Sequence, residues 1–188
     1  MFEAYLNILS EVSFLSENSK EELLNHIKVK FVTKGDCLLD YGEKCKDIYY
    51  VHEGLMRIFY YKNGKNITEW FAGKGHFCFS IASFFEGTPS KLVIEAIDDS
   101  EIILLSKAGL EKLKKTNIEI ANLLIEFFSK SLILSQKRME SIQFETAKQR
   151  YSNLLKEQPY ILNKVPLQYI ATYLGITQET LSRIRSKV

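Results

Sequence analysis

The segment LQYIATYLGITQETLSRI, Leu167 to Ile184, divides into two short amphipathic halves about a glycine. Ile170, Leu174, Ile176, Leu181 and Ile184 recur at helical spacing and share inner faces. Ala171 is small where two helices would cross closely. Gly175 stands at the turn, where a left-handed backbone is needed that other residues resist. Thr177 follows as an N-cap for the second half. A small crossing residue, a turn glycine and spaced apolar positions together predict a helix-turn-helix. An ordinary helical hairpin would share the apolar spacing but gives no reason for the polar residues turned outward.

Those residues are Gln178, Glu179, Ser182 and Arg183. They fall at i, i+1, i+4 and i+5, so one side of the helix presents all four. An α-helix fits the DNA major groove, and its N-terminal residues reach base edges. Arginine donates two hydrogen bonds to guanine, glutamate accepts from cytosine N4, and glutamine pairs with adenine. A carboxylate facing DNA opposes the phosphates, so Glu179 needs a specific purpose. Orienting Arg183 or accepting from cytosine would supply one. Thr177, Thr180, Arg185 and Lys187 are expected on phosphates. The formal net charge is only +2, yet residues 138–188 hold eight basic residues against four acids. A basic end on a nearly neutral body fits a nucleic-acid surface.

Just upstream, PYILNKVP (Pro159 to Pro166) is a short connection with little room for a hairpin wing. Before it, a helix is expected from about Glu145 to Glu157, stopped by Pro159. Gln143 to Glu145 is a candidate hinge. Ile118, Ala121, Ile125, Phe128, Leu132, Ser135, Met139 and Ile142 follow one another at alternating gaps of three and four. That is a heptad seam held for over three heptads. Leu123, Leu124, Phe127, Ile133 and Leu134 widen the apolar face, so one stripe packs on its own domain and the other needs a partner. A homodimer helix is predicted, over the plainer reading of a helix buried in its own domain.

From Lys28 to Ser106 the pattern changes to short β-branched and aromatic runs with glycine turns. VKFVTKG, CLLDYG, DIYYVHEG, LMRIFYYKNG, NITEWFAGKG, KLVIEAIDD and SEIILLS each read as a strand ending in a turn. Asn63-Gly64 is the strongest two-residue hairpin signal. Many short strands imply a sandwich, barrel or jelly roll. FCFSIASFF (Phe77 to Phe85) reads as a short helix or buried turn within it. Tyr5 to Val29 reads as helical, with Ser19 as N-cap. The fold class expected is α+β.

No apolar run is long enough to span a bilayer, and MFEAYLNIL lacks the basic start of a secretory leader. A cytoplasmic protein with no membrane contact is expected. Cys37, Cys45 and Cys78 form no CxxC pair, so free thiols are expected rather than disulfides or a thiolate metal site. His26, His52 and His76 are isolated, and no G-x-S-x-G, P-loop or H-E-x-x-H occurs. Neither a metal centre nor an enzyme is expected.

QETLSR (Gln178 to Arg183) and YYVHEGLMRIFY (Tyr49 to Tyr60) resemble the Crp/Fnr family of bacterial transcription regulators, and the likeness covers essentially the whole chain. The resemblance implies an N-terminal β-roll effector domain (1–108), a dimerisation helix (109–142) and a C-terminal winged helix-turn-helix (143–188) with a shortened wing. In that family a glutamate and an arginine four residues later read a G·C pair, and Glu179 and Arg183 match them. Ser182 stands as in the oxygen-responsive branch, and Gln178 where the cyclic-AMP branch has arginine. The implied partners are double-stranded DNA at an inverted repeat with TTG- or TGA-like half-sites, a second copy of the chain, and RNA polymerase. Members that bind cyclic nucleotide hold the ribose with a Gly-Glu pair and the phosphate with an Arg followed by Ser or Thr. Here Phe79-Ser80 and Ser90-Lys91 occupy those positions, so both the carboxylate and the guanidinium are missing. Cyclic-nucleotide binding is therefore not expected. Phe77, Phe79, Phe84 and Phe85 either plug the space or line it for an apolar ligand. No cofactor is expected, since no N-terminal cysteine cluster exists for an iron–sulfur centre. The competing reading is a β-roll sensor or scaffold that has lost DNA binding, against which the Glu179/Arg183 pair speaks.

Overall fold

A computed structural model describes residues 1–186. Lys187, expected on a phosphate, lies outside the described residues. The chain opens with α1 (Phe2–Val12) and α2 (Glu17–Leu24). The helical stretch expected over Tyr5 to Val29 is thus divided, and its cap lies elsewhere. Ser16 caps α2 by accepting from the Ser19 backbone N–H, while the buried Ser19 hydroxyl donates to Glu119 at 2.6 Å. Past Leu24 the β-branched and aromatic positions Ile27, Val29, Phe31 and Val32 take over, and β1 (Ile27–Val32) begins.

The sheet continues with β2 (Cys37–Leu39), β3 (Asp47–Lys62), β4 (Lys65–Gly73), β5 (Phe77–Cys78) and β6 (Leu92–Ser106), with α3 (Ile81–Glu86) before the last. All pairings are antiparallel, in the order β1-β6-β3-β4, with β2 also on β6 and β5 on β3. Two strands are longer than their runs suggested. DIYYVHEG and LMRIFYYK are one strand of 16 residues, and the last two runs merge into one of 15. β3 and β6 pair from Asp47↔Ser106 to Tyr60↔Leu92, with register shifts between Val51 and Met56. Gly54 sits at those shifts with φ +100°, and a Cβ there would lie 2.2 Å from Ser100 Oγ. The glycine marks a bulge that bends a continuous strand, not a chain reversal. Asn63-Gly64 does reverse the chain: φ is +50° and +72°, and Lys62 pairs with Lys65 across the two-residue loop.

After β6 come α4 (Lys107–Leu113) and the 27-residue α5 (Ile118–Phe144), capped by Asn117, which accepts from the Glu119 and Ile120 N–H groups. Then follow α6 (Ala147–Glu157), α7 (Ile161–Lys164), α8 (Leu167–Tyr173) and α9 (Gln178–Arg185). Thr146 and Gln149 form a reciprocal capping box at the start of α6. Between α6 and α8 the single turn of α7 takes the place expected for a shortened wing, and no strand follows Ser106 among the described residues. No described helix is long and apolar enough to cross a membrane.

Two apolar cores result. One joins the β-roll to α1, α2, α4 and the first turns of α5, through residues such as Tyr5, Leu23, Ile102, Leu110, Ile120 and Leu123. The other gathers Tyr151, Leu154, Ile161, Ile170, Leu174 and Leu181, and reaches Leu55, Phe71 and Ile97 of the β-roll. The terminal helices are therefore packed directly on the sheet.

Candidate nucleic-acid interface

Between α8 and α9, Ala171 is 2% exposed and Ile170, Leu174 and Leu181 are completely buried. The turn between them is closed by backbone bonds. Gly175 N–H donates to Thr172 O at 3.1 Å and Ile176 N–H to Ala171 O at 3.0 Å, with Gly175 at φ +68°. This double bond pattern about a left-handed glycine terminates α8 and satisfies its last carbonyls. Arginines complete the closure: Arg150 Nε donates to Leu174 O at 3.0 Å, and Arg138 Nη2 donates to Tyr173 O. Thr177 Oγ1 accepts from Thr180 N–H at 3.2 Å and starts α9.

Gln178, Glu179, Ser182 and Arg183 are all exposed, on the side of α9 away from Leu181. No ion pair joins Glu179 to Arg183 among the described residues. Hydrogen bonding from Thr177 and from its own backbone holds the Glu179 carboxyl below the usual carboxylate range, with smaller help from Arg183 and Lys65. Of the residues expected on phosphates, Thr177 and Arg185 are exposed and Thr180 is half-buried, its hydroxyl 3.2 Å from that of Thr177.

What orients α9 on the molecule was not singled out from the sequence. Arg57 of β3 has no solvent exposure. Its Nε donates to Thr68 Oγ1 at 2.9 Å, and its Nη1 reaches Glu95 Oε1 at 2.9 Å. The guanidinium lies over the Tyr169 ring of α8 at 3.5 Å and over Phe59 at 4.3 Å. The Thr68 and Thr172 hydroxyls are 3.0 Å apart, and Lys164 pairs with Asp98 at 2.5 Å. Gly73 leaves room for Tyr160, whose hydroxyl would stand 2.3 Å from an added Cβ. The only available signal was a charged residue inside the otherwise apolar run LMRIFYY.

Along α5, Ile118, Ile125, Leu132 and Met139 project outward, with Ile118 and Leu132 each 72% exposed. Ser135 is also exposed and Ala121 half-buried. Phe128 is the one large apolar residue of that seam turned inward. It is half-buried, and its ring meets Phe85 edge-on at 4.9 Å, so it packs toward the β-roll.

In the effector region, Ser80 and Ser90 are buried and their hydroxyls lie 2.9 Å apart, while Lys91 is exposed. Phe79 packs against Phe84, Phe127 and Phe128. The phenylalanines do not fill the space: a cavity of about 720 Å³ remains, bounded by Phe79, Ser80, Lys91, Trp70, Leu134 and Ser135. Cys45 and Cys78 are buried and Cys37 is exposed; burial pushes the Cys78 thiol up to about 12.

The family model for the cyclic nucleotide-binding domain matches residues 29–117. A cAMP-dependent protein kinase regulatory subunit from Candida albicans is 24% identical over 122 residues, which is 64% of this chain and 25% of that protein. The chain thus spans about a quarter of that relative's length. FixK2 from Bradyrhizobium japonicum superposes with a TM-score of 0.73 at 22% identity, covering 86% of this chain and 83% of that one. A candidate transcriptional regulator of the Crp/Fnr family from Eubacterium rectale gives 0.71 at 20% identity, covering 92% and 83%. With a cyclic nucleotide-binding domain recognised over residues 29–117 and α5 to α9 arranged as described, the chain has the fold of the Crp/Fnr transcription regulators.

Proposed function

We propose that the protein is a sequence-specific DNA-binding transcription regulator that acts as a homodimer and does not respond to cyclic AMP. The observation that carries the reading is α9: its apolar side is buried while Gln178, Glu179, Ser182 and Arg183 stand together in solvent. A capped helix presenting a fork donor, a carboxylate and an amide suits base edges in a major groove. The dimer is supported by the heptad seam of α5. Ile118, Ile125, Leu132, Met139 and Ile142 leave a contiguous apolar strip exposed, and a second copy would remove it from water. A twofold pair would set two α9 helices about 34 Å apart, matching an inverted repeat with TTG- or TGA-like half-sites. The reading places the protein in the cytoplasm, with RNA polymerase as a further partner, and assigns it no enzymatic step.

Against cyclic nucleotide stands the pair Ser80 and Ser90, which supplies neither a carboxylate for a ribose nor a fork for a phosphate. Lys91 offers only a point charge. The cavity touches α5 at Leu134 and Ser135, so another effector bound there would bear on the helix that leads to the break at Glu145, where the helix gives way to extended backbone at the last residue of the candidate hinge. Selection of bound duplexes from a random pool, using the purified chain, tests the reading. An inverted repeat should be enriched, sedimentation should give a dimer, and cyclic AMP should leave the thermal midpoint unmoved. A monomer that enriches no sequence would end the proposal.

A further inference from the structure

Beside α9 stands a second basic feature, the tip of the β3–β4 hairpin. Lys62, Asn63, Gly64 and Lys65 are all exposed. Lys62 and Lys65 are the last cross-strand pair, directly opposite one another. Like charges so placed destabilise a hairpin. No carboxylate pairs with either lysine among the described residues. The tip is tied to the helix-turn-helix. Three residues along β4 from Lys65, the Thr68 N–H donates to Thr172 Oγ1 at 3.2 Å. Thr172 lies in the last turn of α8, just before the turn into α9. Farther along the same strand pair, Arg57 is stacked on Tyr169. The hairpin is thus fastened to α8 just before the turn into α9, and the positive charge of Lys65 is felt at Glu179. The hairpin does not cover the outward face of α9, since its four polar residues stay exposed.

We infer that the β3–β4 hairpin is a second DNA contact, with Lys62 and Lys65 gripping the phosphate backbone beside the half-site that α9 reads. This rests on the DNA-binding reading above. The countercharge that the opposed lysines lack is what a duplex backbone offers, and a lysine point charge positions a protein on DNA without reading its sequence. The hairpin would then do on the flank what a wing does, in a chain whose described residues form none. An acidic protein surface would match the same charge, but the position beside α9 favours the duplex.

The test measures affinity against salt for the full-length protein on a random-sequence duplex and on the selected duplex. Lys62→Gln/Lys65→Gln is compared with Lys28→Gln/Lys30→Gln, which removes equal charge from β1 at the opposite end of the β3–β6 ribbon. Each phosphate contact contributes roughly 0.9 to the salt slope, so four lost contacts in a dimer should flatten it by about 3 to 4. Base preference should not change, the β1 pair should change the slope little, and Lys62→Arg/Lys65→Arg should restore it. All four side chains are exposed, and thermal midpoints no lower than wild type would confirm that the variants fold. A slope equal to wild type, or equal to that of the β1 pair, overturns the inference while leaving DNA binding intact. Wild-type protein that binds no duplex, or an Arg183→Ala variant with unchanged preference, would instead overturn the underlying reading.

Discussion

Replacing Arg57 with methionine keeps most of its apolar stem and removes the charge that the structure places between the β-roll and α8. Two of the interactions lost set the size of the effect. The Nη1 contact to Glu95 at 2.9 Å leaves a half-buried carboxylate without its partner. Breaking a buried pair from one side costs about 3–5 kcal/mol. The Glu95 side chain keeps 18% of its exposure, which puts the expectation at the low end, about 3 kcal/mol. Loss of the stacking on Tyr169 at 3.5 Å adds about 1–2 kcal/mol, because that contact is desolvated. One offset exists: Nη2 is buried without a partner, and its removal returns part of the loss. The net expectation is about 3–4 kcal/mol, or a thermal midpoint lowered by roughly 6–16 °C for a chain of this size. Urea and thermal unfolding measure it. A double-mutant cycle with Tyr169→Leu isolates the contact between the sheet and the helix-turn-helix, with an expected coupling of about 1–2 kcal/mol. A coupling near zero would refute the argument that Arg57 fixes α8 on the sheet, whatever the size of the single-mutant effect.

Three further outcomes are expected. Arg183→Ala should weaken binding to the selected site by about 1–3 kcal/mol per half-site and relax preference at one base pair, read by competition between duplexes that differ there. Leu132→Glu should yield a folded monomer in sedimentation, since Leu132 is 72% exposed in the protomer and a carboxylate at the seam would face its own copy; a dimer of unchanged strength would remove α5 from the interface. In the native protein at neutral pH, a thiol reagent should modify Cys37 first and leave Cys45 and Cys78 until unfolding, because both are buried and burial raises their thiols; three equally fast cysteines would contradict the packing around β5.

Features encoded over a few residues are legible in the sequence. Asn63-Gly64 specifies its turn because few other residue pairs accept positive φ at both positions. The break at Gly175 and the cap at Thr177 are equally local. The helical period of Ile118 to Ile142 survives as an exposed strip, apart from half-buried Ala121 and from Phe128, which the aromatic cluster around Phe85 draws inward. Gly54 reads as a turn in the sequence and is a bulge in the fold. A glycine in a β-run signals either a reversal or a bulge, and the choice depends on Ser100, 46 positions away, closing against it.

The amino-acid order alone therefore carried the periodicities and the turn chemistry: which runs are helical, where two helices break, and which outward residues share one face. These depend on backbone preferences and side-chain spacing within a turn or two. Folding in three dimensions decided the rest. It bent β3 and β6 into continuous paired strands, set Ser80 against Ser90, left a cavity among phenylalanines, and fastened the β3–β4 hairpin to α8 through Arg57 and Tyr169. Each of these is a contact between residues far apart in the chain, and such contacts exist only once the loops between them have closed.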